Sequence, residues 1–152
     1  MRTFTHHSNE GKKNIYVMYV YDCNAIPNTS TKNISNKETI RAFTKLTEDL
    51  KSQGINPCYN ITDNKASTTL KLTMKTMNIK YQLVPPSNHR GKNAEIEIQT
   101  FKNHFMAGLC SLEKYFHLQL LDRLLQQATI SLRLLMQSIT LLHISAYTHI
   151  FG

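Results

Sequence analysis

Residues 15–21, IYVMYVY, constrain the fold of this chain more than any other stretch. Every position is aliphatic or aromatic, so neither face of the run can lie against water. A strand apolar on both faces is a central strand covered on both sides, which demands layers of structure above and below it. The run stops at Asp22, an acid at the strand's carboxyl end.

The segment after it, CNAIPNTSTKNIS, is polar and holds a Pro. It suits a short antiparallel or edge strand joined by a tight turn. Ser35 and Glu38 have the spacing of a capping box, and a helix follows with Ile40, Phe43, Leu46 and Leu50 inward. Gly54 ends that helix as its first residue beyond the cap. Residues 56–62 form a second strand, again stopped by an acid, Asp63. A helix over 67–77 turns Leu70, Met74 and Met77 inward, and residues 79–84, IKYQLV, form a strand halted by Pro85-Pro86. A basic loop around Gly91 leads into a helix whose apolar stripe is Ala94, Ile98, Phe101 and Phe105, with Glu95, Gln99 and Lys102 on another face. A last helix over 118–137 buries Leu121, Leu124, Leu125, Ala128, Leu132 and Leu135. Residues 1–13 read as a flexible tail and 14–152 as one domain. Strand–helix–strand units of this kind place strands parallel with right-handed crossovers, so the expected fold is α/β, with a mixed sheet of about five strands flanked by helices.

Composition narrows the partners. The 152 residues carry 18 Lys and Arg against 10 Asp and Glu, a net charge of +8. That balance suits a polyanion, either nucleic acid or an anionic membrane. The three cysteines form no CxxC pair and read as reduced thiols of an intracellular protein. His6 and His7 have no paired cysteines at zinc-ligand spacing and fall in the tail. The start of the chain lacks the apolar core of a secretory signal. Asp122, Arg123, Gln126, Gln127, Arg133 and Gln137 break the apolar C-terminal third before it reaches the roughly 18 residues a membrane span needs.

In sheets of the expected kind, working residues gather at the carboxyl ends of adjacent strands. Asp22 and Asp63 both occupy such ends. Taken singly, each is an ordinary turn residue. Side by side they repel unless a cation lies between them, and Glu95 on the arriving helix adds a third carboxylate. Three carboxylates without His or Cys make a hard-oxygen site, suited to Mg²⁺ or Mn²⁺ and poor for Zn²⁺.

The segments YVMYVYDCNAI, YNITDNKAS and QLVPPSNHRGKNAEIEIQTFKNHFMAGL, taken in that order, resemble the integrase catalytic core of long-terminal-repeat retrotransposons. The resemblance covers residues 14–152 and continues through LQLLDRLLQQATISLRLL to SAYTHIFG. It implies the RNase H-like fold, an Asp–Asp–Glu triad at Asp22, Asp63 and Glu95, and two-metal phosphodiester cleavage and DNA strand transfer. It implies DNA and a homo-oligomer as partners, no membrane, and a nuclear place of action. Asp63 and Glu95 stand 32 positions apart, somewhat closer than in retroviral integrases. Lys65 replaces an expected acidic or neutral residue, Ile96 a usual Arg, and no Trp is present. Glu97 points to a different helix face from Glu95. The family's zinc-binding N-terminal domain and DNA-binding C-terminal domain have no counterpart in these residues, so an excised core or a polyprotein fragment is expected.

Lys65, His89, Arg90, Lys92, Gln99 and Lys102 are the candidates for phosphate contact. Arg90 and Lys92 are expected in a loop that can swing onto substrate, and Lys102 shares a helix face with Glu95. Two other readings keep different chemistry: an inactive nucleic-acid-binding or assembly module with the same fold, and an unrelated α/β ligand-binding domain. The absence of a glycine-rich phosphate loop after Asp22 argues against a nucleotide-binding version of the latter.

Overall fold

The computed structural model describes residues 3–5, 14–63, 66–84, 90–112, 117 and 120–152, without the side chains of 3–5, 63 and 90–94. In chain order the elements are β1 (Thr3–Thr5), β2 (Asn14–Val17), β3 (Asn28–Thr31), α1 (Asn36–Ser52), β4 (Tyr59–Asp63), α2 (Thr68–Thr76), β5 (Lys80–Val84), α3 (Arg90–Cys110), α4 (Leu121–Leu135) and α5 (Ala146–Phe151).

β2 divides two cores. Ile15 and Val17 face one cluster, with Ile26 from the segment before β3, with Ile98, Phe101 and Phe105 of α3, and with Leu121, Leu125, Ala128 and Leu132 of α4. Tyr16 and Met18 face the other, with Ala42, Phe43, Leu46 and Leu50 of α1, Leu70 and Met74 of α2, and Ile79. The side-chain period of two sends alternate residues to opposite faces, so a strand without a polar face ends up between two helical layers. The covered central strand is therefore present, as is the stripe Ile98, Phe101 and Phe105, all buried.

The helix ends follow local chemistry. Ser35 Oγ accepts from Glu38 N at 3.4 Å and caps α1, and Ser67 caps α2 in the same way through Leu70 N. In place of the return half of a capping box, Glu38 accepts from Lys32 N at 3.3 Å and pairs with Arg41 at 2.9 Å. Both α1 and α2 finish in the same motif. Gly54 (φ 81) and Asn78 (φ 59) take the left-handed conformation. Ile55 N then reaches Leu50 O at 3.0 Å, and Ile79 N reaches Met74 O at 2.8 Å. These bonds occupy carbonyls the helix leaves open.

Five departures from expectation stand out. The expected single mixed sheet is two ladders among the described residues: an antiparallel β1-β2-β3 and a parallel β4-β5. Among those residues β2 and β4 carry no ladder between them. Thr3–Thr5 pairs antiparallel with β2, where a tail is expected over 1–13. α3 begins at Arg90, so Arg90, Gly91 and Lys92 are helical in backbone and not part of a swinging loop. Apolar periodicity marks a helix only where its apolar face begins, and a polar first turn carries no such mark. On α4, Leu135 is 72 % exposed while Arg133 is buried. The short helix α5, capped by Ser145 through Thr148 N, has no counterpart in the expectation from sequence. No described helix is long and apolar enough to cross a membrane, and Cys23, Cys58 and Cys110 are all free.

Candidate active site

The ladder of β2 continues past Val17. Met18 N donates to Pro27 O at 2.9 Å, and Val20 and Ala25 exchange backbone bonds of 2.8 and 3.1 Å. Residues 21–24 are left as the hairpin turn, closed by Asn24 N to Tyr21 O at 3.1 Å. Asn24 sits at φ 54, a conformation that Asn tolerates better than most residues. Asp22 lies exposed in this turn. It therefore stands at the carboxyl end of the central strand, presented on a tight loop.

Asp63 is the last residue of β4, opposite Val84, the last residue of β5. Its side chain lies outside the described residues. Because the two strands are parallel, both end at one edge, and from Val84 the chain passes on to α3. Glu95 sits half-buried in α3, beside the buried stripe. Lys102, seven residues on, is exposed. Gln99 is exposed too, with Nε2 donating to Asn103 Oδ1 at 2.7 Å along the helix. Lys65 and His89 lie outside the described residues, as do the side chains of Arg90 and Lys92.

Glu97 locates α3 relative to the hairpin. It is half-buried, and burial pushes its carboxyl above the usual carboxylate range. The Tyr19 hydroxyl is pushed up to about 12, first by burial and next by the charge of Glu97. Tyr19 in turn donates to Asn24 Oδ1 at 3.1 Å. Tyr19 also packs against the cluster that holds Ile98, Phe101 and Phe105, which brings α3 near the hairpin that carries Asp22. Sequence reasoning sets Glu97 aside as facing away from the triad, and it misses the acid's electrostatic link to the hairpin.

A second missed feature is the segment after α4. Ser138 Oγ and Thr140 Oγ1 donate to Asp22 O at 3.3 and 3.0 Å. Asn24 Nδ2 donates to Gln137 O at 2.9 Å. No sequence signal marks these partners, because they lie more than a hundred positions apart.

The donor set of Asp22, Asp63 and Glu95 consists of carboxylate oxygens alone, which fits Mg²⁺ or Mn²⁺ by ligand hardness. Among the described residues no group of three or more His, Cys, Asp or Glu could hold a metal ion, and the Asp63 side chain is not among those residues. A crevice of about 150 Å³ between α3 and α4, lined by His104, Gly108, Gln127 and Ser131 among others, is small beside the roughly 300–1,000 Å³ of a typical small-molecule site. Asp22, on its exposed turn, and Glu95, on α3, do not line this crevice.

No family model matches the chain, and no curated protein matches it significantly in sequence. Solved structures do match in fold. The integrase catalytic core domain of HTLV-2 in complex with magnesium, in its trimeric form, superposes with a TM-score of 0.72 at 17 % identity, over 99 % of this chain and 93 % of that one. Its dimeric form gives 0.71 at 18 % identity, over 97 % and 90 %. The catalytic core domain of BIV integrase gives 0.69 at 14 % identity, also over 97 % and 90 %. With two helical layers around a central strand and a superposition that spans nearly its whole length, this chain has the α/β fold of a retroviral integrase catalytic core.

Proposed function

We propose that the chain is an integrase-type polynucleotidyl transferase core, cleaving phosphodiesters and transferring DNA strands at a site formed by Asp22, Asp63 and Glu95. The observation that carries this reading is the combination of an integrase-core fold with an exposed acid on the turn beyond its central strand. Asp22 presents its carboxylate to solvent, where a phosphodiester backbone can approach. Glu95 sits half-buried on α3, beside the buried stripe. Lys102 and Gln99, both exposed on α3, are the proposed phosphate contacts there, and Lys65, His89, Arg90 and Lys92 complete the proposed DNA contacts. The charge of +8 favours the same polyanion. Bound Mg²⁺ or Mn²⁺ supplies Lewis-acid polarisation of the phosphodiester and activation of the attacking oxygen. The trimeric and dimeric forms of the HTLV-2 core support self-association of this chain as well, and strand transfer into chromosomal DNA places its action in the nucleus.

The test is thermal melting with and without Mn²⁺ at about millimolar concentration, since a ligand that binds only the native state raises the melting temperature. The parent should gain stability, and Asp63→Asn should lose that gain. A Mn²⁺-dependent nicking assay on duplex DNA follows. An unchanged melting curve in the parent sinks the metal site. DNA binding that persists without a metal response would leave an inactive binding module on the same fold.

A further inference from the structure

Three donors from one short segment converge on a single oxygen, the main-chain carbonyl of Asp22. They are Thr140 N at 3.3 Å, Thr140 Oγ1 at 3.0 Å and Ser138 Oγ at 3.3 Å. A fourth bond, Asn24 Nδ2 to Gln137 O at 2.9 Å, ties the other side of the same turn to the same segment. The segment is itself held. Ser138 N donates to Ile144 O and Ala146 N to Met136 O, both at 2.8 Å. Ser138 Oγ accepts from Leu141 N at 3.1 Å and lies 2.8 Å from His149 Nδ1 in α5. A hydroxyl has one proton and two lone pairs. With a proton on His149 Nδ1, Ser138 uses all three: one donated to Asp22, two accepted.

We infer that residues 137–140 are a clamp that sets the direction of Asp22, with Ser138 and Thr140 as positioning residues for that acid. The inference rests on the reading of Asp22 as a metal-holding carboxylate. A held carbonyl fixes the peptide plane between Asp22 and Cys23, and with it the ψ of Asp22 and the direction of its Cα–Cβ bond. Asn24, held by Gln137, fixes the far end of the turn. None of these bonds uses a carboxylate oxygen, so the side chain is aimed without being occupied. An exposed turn residue otherwise has to be ordered at the moment of binding, and pre-setting it removes that entropic cost.

Three variants test the clamp. Thr140→Val removes one donor at nearly constant shape, Thr140→Ser restores it, and Ser138→Ala removes another donor together with the partner of His149. The first readout, in metal-free protein, is the ¹³C shift of the Asp22 carbonyl, which reports accepted hydrogen bonds. The second is Mn²⁺ affinity by titration calorimetry, and the third is the metal-free melting temperature. The shift should move in Thr140→Val and Ser138→Ala and return in Thr140→Ser. Mn²⁺ affinity should fall about three- to tenfold in the first two, the scale expected when a pre-set geometry is released, and recover in Thr140→Ser with the metal-free melting temperature little changed. Thr140→Val binding Mn²⁺ like the parent, while Asp22→Asn abolishes binding, overturns the clamp and leaves the metal site standing. Absence of Mn²⁺ binding in the parent overturns both. If Ser138→Ala does not fold, the two Thr140 variants decide the matter.

Discussion

The guanidinium carbon of Arg133 stands 5.7 Å from the centre of the Phe151 ring, joining α4 to α5 through a cation over an aromatic face. Arg133 is only 8 % exposed, and its Nε has no hydrogen-bond partner among the described residues. Burial therefore disfavours its charge, while its stem fills space. Arg133→Met should keep the packing and remove the desolvation, leaving stability equal or raised by about 1 kcal/mol. Arg133→Ala should lose packing and the ring contact together, at a cost of about 1–3 kcal/mol. Urea denaturation of the pair separates the two contributions.

Tyr16 presents a second buried polar atom of this kind. The residue is 1 % exposed, and its hydroxyl makes no hydrogen bond among the described residues. Tyr16→Phe should therefore stabilise the fold by roughly 1–3 kcal/mol, the desolvation cost of a buried polar group left without a partner. A loss of stability would show that the hydroxyl has a partner in solution. Tyr16→Ala should instead cost about 3–5 kcal/mol through the cavity it leaves.

The two left-handed helix ends should respond in opposite ways. A methyl group added at Gly54, where φ is 81, would meet only open space, so backbone strain alone opposes a substitution there. Gly54→Ala should cost about 1–2 kcal/mol. Asn78 at φ 59 already bears that strain, so Asn78→Gly should be neutral or slightly stabilising. Thermal melts of both variants check the contrast.

Glu97 makes stability depend on pH. Its folded pKa is raised by burial, so the folded chain holds this proton more tightly than the unfolded chain. The associated stability is fully present below the ordinary carboxylate pKa and is lost as pH rises through the folded value. Glu97→Gln should flatten that part of the profile and exceed the parent in stability at neutral pH. Denaturation midpoints measured from acid to neutral pH decide it: an unchanged slope in Glu97→Gln means another group is responsible. Tyr19, raised from 10.0 to about 12, adds a loss of the same sign across that alkaline interval.

DNA affinity should depend on where charge lies. Lys102 is exposed on α3, seven residues beyond Glu95, whereas Lys51 is exposed in the last turn of α1. Lys102→Glu should weaken binding to a short labelled duplex more than Lys51→Glu does, and affinity should fall with salt at a log–log slope near one unit per phosphate contact. Equal losses in fluorescence anisotropy would mean diffuse attraction without a DNA face on α3.

What is legible in the sequence follows from how local its cause is. The covered strand, buried from Ile15 to Met18 although the exposed Tyr21 of the same apolar run falls in the turn, and the stripe Ile98, Phe101 and Phe105 are legible because periodicity is written in neighbouring residues. Ser35 and Gly54 are legible because caps act within one helical turn. The choice between Leu135 and Arg133 as the inward residue of α4 is not, because it depends on Phe151 arriving from α5. The start of α3 at Arg90 hides behind a polar first turn. The acids Asp22, Asp63 and Glu95 can be nominated from their places beyond strands and within a helix. The partners of the Asp22 carbonyl, 116 and 118 positions away, leave no local trace.

Synthesis proceeds from the N-terminus, and the Asp22 turn waits on donors 116 and 118 positions further along the chain. Both strands of the β2–β3 hairpin are available to pair once residue 31 has emerged. Ser138 and Thr140 emerge more than a hundred residues later, and His149, which holds Ser138, later still. On a ribosome adding about 5–20 residues per second, that interval lasts several seconds. During it the Asp22 turn lacks its long-range donors, so α5, acting through His149 and Ser138, completes the setting of an acid made more than a hundred residues before it.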